Sequence, residues 1–303
     1  MSALWQTFLA QVLPLAPSWA LWPVARQYVA GDSLDAMAAV VGALNAEGAR
    51  CTVDLLSEDV TDAGQTRAIA DQYAAALDRI AHEQLNSHIA IKLSALGLTQ
   101  DADLCLNNAR RLLTHAGRTG AFVRIDMEDA TRTEATLSAY ERLREEFDNV
   151  GVAIQAYLRR SLADVRRVSE GPRAGNFRLC KGIYRESRAI AFQDPEIIRR
   201  NYMRLLNEML DRGAFTAIAT HDERLIWEAC QCLDARGLGP DRYEFEMLYG
   251  VDPPLRRQLL SEGRPLRVYV PFGRDWRAYS LRRLRENPAI AGHIARQFLA
   301  GGR

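Results

Sequence analysis

The sequence predicts an α/β fold, a (βα)8 barrel of the TIM type, and two patterns support this prediction. Eight short runs rich in β-branched and apolar residues recur along the 303-residue chain, and helical apolar periodicity fills the intervals between them. Several runs are nearly continuously apolar, which is typical of parallel strands buried on both faces. The alternation extends over about 250 residues, the usual size of such a barrel.

The predicted strands are residues 51–56, 88–96, 121–127, 152–158, 176–180, 215–220, 243–248 and 266–272. Between them, stripes such as Ile69, Tyr73 and Ile80 recur at helical spacing. Asp194, Pro195 and Glu196 supply an N-cap, a first-turn proline and a first-turn acid, so a helix is predicted to begin there.

A doubly wound open sheet is the alternative fold, but no glycine-rich phosphate fingerprint follows the first strand. We therefore expect a distorted barrel over residues 46–303, preceded by a helical segment over residues 1–45.

Composition narrows the function classes. A formal net charge of +1 gives no basic excess for nucleic acid. The cysteines are odd in number and scattered, without the histidine cluster of a zinc site, which favours a reducing, cytoplasmic setting and no metal. They are Cys51, Cys105, Cys180, Cys230 and Cys232.

The first 22 residues carry no charged side chain, yet they lack the basic start of a secretory signal and are interrupted by polar residues and prolines. Two interpretations stay open. The segment either forms short helices packed on the domain or on another subunit, or it contacts a membrane surface peripherally.

A polar or ionisable residue lies in or just after every predicted strand, where barrel enzymes place their chemistry. These residues are Asp54 and Glu58; Lys92; Asp126 and Glu128; Gln155; Arg178 and Lys181; Thr220, His221 and Asp222; Glu246 and Tyr249; and Tyr269.

Only two of the 39 lysine and arginine residues are lysines, Lys92 and Lys181, and both lie at these strand ends. A compact ammonium with a tunable pKa is useful there. The plainer interpretation is an ion pair at the barrel mouth.

One helical face after the eighth strand presents two adjacent arginines beside a phenol and a carboxylate. Tyr279, Arg282, Arg283 and Glu286 are spaced to share that face. The arginines suit bidentate capture of a carboxylate or phosphate. A solvated face with an i,i+4 ion pair fits the spacing equally well.

Seven motifs in register resemble those of the proline dehydrogenase family, from about residue 50 to residue 290. RLCKGIY and YSLRRLRE are the most specific of them. The motifs are IKLSALG (91–97), RIDMED (124–129), IQAYLRR (154–160), RLCKGIYRES (178–187), ATHD (219–222), EFEMLYG (244–250) and RVYVPFGRDWRAYSLRRLREN (267–287). The chain resembles the monofunctional bacterial enzymes rather than the fusion with an aldehyde dehydrogenase.

The resemblance implies FAD bound without a covalent link over the C-terminal mouth of the barrel. Arg178 would lie near flavin N5, Gln155 at the isoalloxazine edge, and Lys181 with Gly182 near the ribityl phosphate. The positions implied to contact FAD are Gln155, Arg178, Cys180, Lys181, Gly182, Thr220, His221 and Glu246.

The resemblance also implies the substrate, L-proline, and its oxidation to Δ1-pyrroline-5-carboxylate by hydride transfer to flavin N5, with electrons passing to a membrane quinone. Lys92, Asp126 and Arg178 would be the catalytic residues, with Lys92 facing the proline nitrogen. Arg282 and Arg283 would hold the carboxylate. The remaining substrate positions are Glu58, pairing with Arg282 as a gate; Glu286, orienting the arginines; and Tyr184, Leu248, Tyr269 and Tyr279, packing on the ring.

A desolvated lysine beside two arginines should have a lowered pKa, opposed by Asp126, so Lys92 is our candidate proton acceptor. Four residues depart from the family pattern, namely Ser57, Ile183, Glu246 and Met247. These departures affect what the resemblance implies about gating of the active site, the volume of its pocket and one hydrogen bond to the cofactor.

Two other functions remain open. A Schiff-base lyase or aldolase would use Lys92 or Lys181 as its nucleophile. A barrel retained as a binding scaffold would tolerate replacement of its charged mouth residues.

Overall fold

The computed structural model describes residues 22, 25–57, 60, 62–170, 174–277 and 279–281. Eight strands close into one barrel in chain order, and every neighbouring pair is parallel, including β8 with β1. The strands are β1 Arg50–Leu55, β2 Ser87–Ile91, β3 Val123–Ile125, β4 Val150–Gln155, β5 Asn176–Cys180, β6 Phe215–Ala219, β7 Tyr243–Leu248 and β8 Leu266–Phe272.

Helices alternate with these strands and cover the outside of the barrel. They are α1 Leu34–Ala46, α2 Ala63–His82, α3 Ala102–Arg118, α4 Thr133–Glu146, α5 Ser161–Val168, α6 Pro195–Asp211, α7 Glu223–Ala235 and α8 Pro253–Ser261. The predicted barrel and all eight predicted strands are thereby confirmed.

Three strands end well before their predicted ends: β4 ends at Gln155 rather than at residue 158, and β2 and β3 also end early. β2 ends at Ile91, and Ser94–Leu96 form a 3-10 turn instead. There the Ser94 N–H and hydroxyl donate to the carboxylate of Glu128, and Gly97 continues at φ +107°, so the chain leaves the sheet. β3 covers only Val123–Ile125 of the predicted 121–127.

The main apolar core lies between the barrel and the helices. Ile69, Tyr73 and Ile80 of α2 are buried in it, as their spacing predicts. The burial of Ile69 and of Ile80 contributes about 1.5–3 kcal/mol each, because their apolar surface leaves water. This layer fixes the barrel wall from outside.

The barrel interior, by contrast, holds charged residues. Arg124 and Glu244 are buried charges on strands whose neighbouring residues, Ile125 and Phe245, belong to the apolar core. Because successive strand residues point to opposite faces, the charged residues point inward. The interior therefore contains ionisable groups as well as apolar side chains.

α1 begins after the N-cap Ser33 and packs on β1 and β8. Most of the predicted segment 1–45 lies outside the described residues, so its division from the barrel stays a prediction. Within the part of the chain that is described, every helix is too short or too polar to span a bilayer. All five cysteines are free thiols.

The helix start predicted at Asp194 is found, and it gives a stability prediction. Asp194 Oδ1 accepts hydrogen bonds from the backbone N–H groups of Glu196 (2.8 Å) and Ile197 (3.1 Å). Asp194→Ala should lower the free energy of unfolding by about 1 kcal/mol in urea titrations. Asp194→Asn, which keeps an acceptor, should lose much less. Equal midpoints for Asp194→Ala and the wild type would contradict the capping role.

Candidate active site

A cavity of about 590 Å³ lies at the C-terminal ends of the strands. Residues in or just after every strand except β4 contribute to its wall. The lining residues are Asp54, Lys92, Asp126, Met127, Arg178, Cys180, Lys181, Gly182, Ile183, Tyr184, Ala219, Thr220, His221, Asp222, Glu246, Met247, Leu248, Tyr269 and Tyr279.

Lys92, just past β2, is held in an ion pair with the neighbouring strand. Its ammonium donates to Asp54 Oδ1 at 2.6 Å, and Asp126 Oδ2 lies 3.9 Å away. Burial lowers the pKa of Lys92, but the carboxylates of Asp54 and Asp126 outweigh burial and raise it. The lowered pKa predicted for Lys92 is therefore wrong for the described surroundings, because Asp54 supplies a second and nearer carboxylate.

Arg178 lines the cavity and joins two carboxylates. Its guanidinium donates to Asp126 Oδ1 through Nη1 and to Glu246 Oε2 through Nε. Burial lowers the pKa of Arg178, but the charges of Glu246 and Asp126 outweigh burial and raise the pKa above its usual value. The guanidinium therefore stays charged. Asp126 also accepts the Tyr269 hydroxyl at 2.7 Å. The Arg178 guanidinium lies 5.1 Å from the centroid of the Tyr269 ring, within cation–π range.

Lys181, the second lysine, pairs with Asp222 across the ends of β5 and β6. Arg199 of α6 donates to the same Asp222 oxygen at 2.7 Å. Burial raises the pKa of Asp222, but the hydrogen bonds from Lys181 and Arg199 dominate and hold it at about 2.

Gly182 is a position that only glycine can fill. Its φ of +102° lies in the left-handed region, and a Cβ there would come within 2.2 Å of the Tyr157 ring. Backbone hydrogen bonds from Ala156 N to Cys180 O and from Tyr157 N to Lys181 O fix this approach. The backbone after β5 is thus held close against the end of β4.

His221 connects the ends of β6 and β7. Its Nε2 accepts the Leu248 N–H at 2.9 Å, which places the proton of a neutral ring on Nδ1. Thr220 Oγ1 similarly accepts the Asp222 N–H at 3.1 Å. Both residues are therefore fixed at the cavity wall.

Three buried polar atoms around the cavity have no hydrogen-bond partner among the described residues. They are Gln155 Oε1, Arg178 Nη2 and Glu246 Oε1. Gln155 pairs in register with Cys180, which lines the cavity. Buried polar atoms are rarely left unpaired, so these three indicate a polar ligand.

The structure brings most of the predicted site residues together. The predicted residues that line the cavity are Lys92, Asp126, Arg178, Cys180, Lys181, Gly182, Tyr184, Thr220, His221, Glu246, Leu248, Tyr269 and Tyr279, while Gln155 lies beside it. Glu58, Arg282, Arg283 and Glu286 lie outside the described residues.

Two site residues, Asp54 and Asp222, were recognised in the sequence only as polar strand ends and were given no role. Each is the direct partner of one lysine. Their positions at the ends of β1 and β6, next to the lysine-bearing strand ends, were the available signal.

Charged side chains from several strands that meet at the C-terminal mouth are typical of (βα)8-barrel enzymes. Comparison with known proteins identifies the class of this chain. The family model described as proline dehydrogenase matches residues 37–296. The "Proline dehydrogenase" of Deinococcus radiodurans is 38% identical over 93% of this chain and 92% of that protein. "Proline dehydrogenase 1" of Bacillus subtilis is 37% identical over 91% and 90%.

Among solved structures, proline utilization A (PutA) from Bdellovibrio bacteriovorus, inactivated by N-propargylglycine, matches with a TM-score of 0.83 and 22% identity. The match covers 91% of this chain and 34% of that one, and it shows the shared barrel fold. With the family model and the relatives above, the chain belongs to the proline dehydrogenase family.

The low pKa of Asp222 predicts a pH-dependent contribution to stability. The folded pKa of about 2 lies below the unfolded value near 3.9, so the ion pairs of Asp222 stabilise the fold above about pH 4 and lose this effect toward pH 2. The free energy of unfolding of Asp222→Asn should be about 1–3 kcal/mol lower than that of the wild type at pH 7. This difference in unfolding free energy, the stability gap, should narrow as the pH falls from about 4 to 2.

Denaturant titrations across this pH range measure the gap. Asp211→Asn is the matched control, because the Asp211 side chain is 65% exposed in its ion pair with Arg236 and should contribute only a few tenths of a kcal/mol. A pH-independent gap for Asp222→Asn would show that its effect is not electrostatic.

Proposed function

We propose that the chain oxidises L-proline to Δ1-pyrroline-5-carboxylate with FAD as its cofactor. One observation carries the proposal beyond family membership. The cavity at the barrel mouth gathers Lys92, Asp126, Arg178, Glu246 and Tyr269 around buried polar atoms that lack partners.

The residues present fit FAD. Three buried atoms have no hydrogen-bond partner among the described residues and could bind a polar ring edge. They are Gln155 Oε1, Arg178 Nη2 and Glu246 Oε1. Lys181, Thr220 and the backbone at Gly182 line the same cavity and would hold the ribityl and phosphate portions, with Cys180 and His221 beside them. When bound, FAD would supply the hydride acceptor at N5.

The described charges favour a cationic amine. Asp54, Asp126 and Glu246 carry three negative charges against the two positive charges of Lys92 and Arg178. A protonated amine therefore finds one uncompensated negative charge in a partly desolvated site, where electrostatic attraction is stronger than in water. This matches the amine of proline.

The proline carboxylate would be held by Arg282 and Arg283, with Glu286 orienting them and Glu58 as a gate. The family resemblance supports these roles. Tyr279 lines the cavity and packs with Val29 and Leu56, and it lies just before the arginines in sequence. Tyr184, Leu248 and Tyr269 complete a wall suited to a small ring.

Lys92 and Asp54 would act together on the substrate proton. Burial raises the pKa of Asp54, although the Lys92 ammonium lowers it, so this carboxylate takes a proton more readily than an exposed one. Lys92 Nζ can accept the amine proton as it passes one of its own to Asp54 Oδ1, 2.6 Å away. The charged lysine thus serves as a relay rather than as a free base.

Electrons would leave to a membrane quinone, with the uncharged N-terminal residues as one candidate for peripheral membrane contact. The family resemblance supports this acceptor. Proline-dependent reduction of a soluble quinone analogue measures this activity directly.

The visible spectrum of the purified protein under anaerobic conditions, before and after L-proline, tests the proposed function. Flavin bands that bleach with proline are expected. Flavin bands that do not change with proline would support FAD as the cofactor but contradict proline as the substrate. A colourless protein that cannot be reconstituted with FAD would contradict both.

Lys92→Ala should lower kcat by roughly a hundredfold or more, because the substrate proton loses its acceptor. The flavin-to-protein ratio should stay close to wild type, since the buried atoms that fit the flavin belong to other residues. Asp54→Asn should also lower kcat, and it should change the pH profile, because the relay ends there. Unchanged turnover of Lys92→Ala at saturating proline would refute the role.

A further inference from the structure

The opposite end of the barrel contains a second cavity, of about 280 Å³, at the N-terminal ends of the strands. Arg50 begins β1 four residues before Asp54, which places this cavity about 13 Å along the strand from the proposed active site. The residues that line it are Arg50, Asn86, His88, Phe122, Arg124, Asn176, Phe215, Glu244 and Arg267. Proline oxidation as proposed above uses none of them.

The charges in this cavity do not balance. Arg50, Arg124 and Arg267 face a single carboxylate, Glu244. Glu244 Oε1 accepts from Arg267 Nε at 2.7 Å, and Glu244 Oε2 lies 3.6 Å from Arg50 Nη1. Arg124 and Arg267 are each only 3% exposed, and Glu244 is 2% exposed. Arg50 and Arg267 therefore share one carboxylate, and Arg124 has none among the lining residues, which leaves a net excess of two positive charges.

The other hydrogen bonds of these guanidiniums go to neutral acceptors. Arg124 donates to the backbone oxygen and the side-chain oxygen of Asn176, at 2.9 and 2.7 Å. Arg267 donates to the backbone oxygen of Cys51 at 2.6 Å. Neutral acceptors satisfy the N–H groups but leave the charge uncompensated, which is costly for a buried cation.

Two pKa shifts agree with a positive excess. Burial, and next the charge of Arg178, lower the pKa of Arg124 to about 10. Burial, and next the charges of Arg267 and Arg124, hold the pKa of His88 well below 6.5. His88 is therefore neutral at physiological pH and carries one ring N–H.

The His88 ring packs against the Phe122 ring, with centroids 5.3 Å apart. No described residue forms a hydrogen bond with either ring nitrogen of His88. Its N–H is therefore available to the cavity. Phe122 and Phe215 supply apolar walls, while Arg50 is 41% exposed and opens the cavity to solvent. A ligand reaching this cavity would meet guanidinium and imidazole donors between aromatic walls.

We propose that the N-terminal mouth of the barrel is a binding site for a small oxyanion of the phosphate or sulfate class. Arg50 and Arg267 supply charge-assisted donors, and His88 supplies a neutral one. The anion offsets the two excess positive charges, and the cavity has room for one tetrahedral oxyanion. Glu244 limits the affinity because it already pairs with Arg267.

Calorimetric titration of the flavin-loaded protein with inorganic phosphate, at constant ionic strength set with chloride, tests the site. Saturable binding of one phosphate is expected, with competition by sulfate and none by chloride. The KM for proline should not change at saturating phosphate, because the two cavities lie at opposite ends of the barrel.

Arg50→Gln should weaken phosphate binding by about tenfold or more, since it removes the most accessible of the guanidinium charges. Arg204→Gln is the matched control. Arg204 is exposed on the middle of α6, so the same charge is lost far from the cavity and binding should not change.

His88→Phe keeps the ring and the net charge but removes the N–H, and it should weaken binding severalfold. If Arg50→Gln fails to fold, His88→Phe tests the same binding site without it. Absence of saturable binding, or equal binding by wild type, Arg50→Gln and His88→Phe, would overturn the proposal. The arginines would then only close the floor of the barrel.

Discussion

The ion-pair network centred on Arg178 is the interaction on which the site depends. Burying a charge without a partner costs several kcal/mol, so the buried guanidinium of Arg178 requires carboxylate partners. Arg178 meets this requirement by holding Asp126 of the β3 end and Glu246 of β7, and Asp126 in turn accepts Tyr269 of β8. Four strand ends are thereby fixed to one another through side chains.

Among the described residues, the two ends of the barrel interior contain charge clusters of opposite sign. At the C-terminal end, Asp54, Asp126 and Glu246 exceed Lys92 and Arg178 by one negative charge, while the N-terminal end has a positive excess around Arg124 and Arg267. Opposite charges attract more strongly in a buried setting than in water. Burial lowers the pKa of Arg124 and the charge of Glu246 accordingly opposes this shift, so each cluster offsets part of the cost of the other. The same polarity favours a cationic amine at one end and an anion at the other.

The sequence was sufficient to predict the barrel, because apolar runs and helical periodicity record burial on the two faces of each element. It also predicted the helix start at Asp194, a local hydrogen-bond pattern. The end of β2 was missed, since it depends on Glu128, which reaches Ser94 from the segment that follows β3. The partner of Lys92 was missed for the same reason. Asp54 is 38 residues away, and only the parallel register of β1 and β2 brings the two together.

The ion pair of Lys92 decides what chemistry this residue can do. A lysine that forms a Schiff base must present a neutral amine, which requires a lowered pKa. The carboxylates of Asp54 and Asp126 raise the pKa of Lys92 instead, and Lys181 is likewise held in an ion pair by Asp222. Neither lysine is therefore prepared as a nucleophile. An ammonium that donates to a buried carboxylate can still move a proton, because the gain of one proton at Nζ is matched by the transfer of another to Asp54. The same contact that disfavours covalent catalysis thus suits Lys92 to accept a proton from a substrate amine.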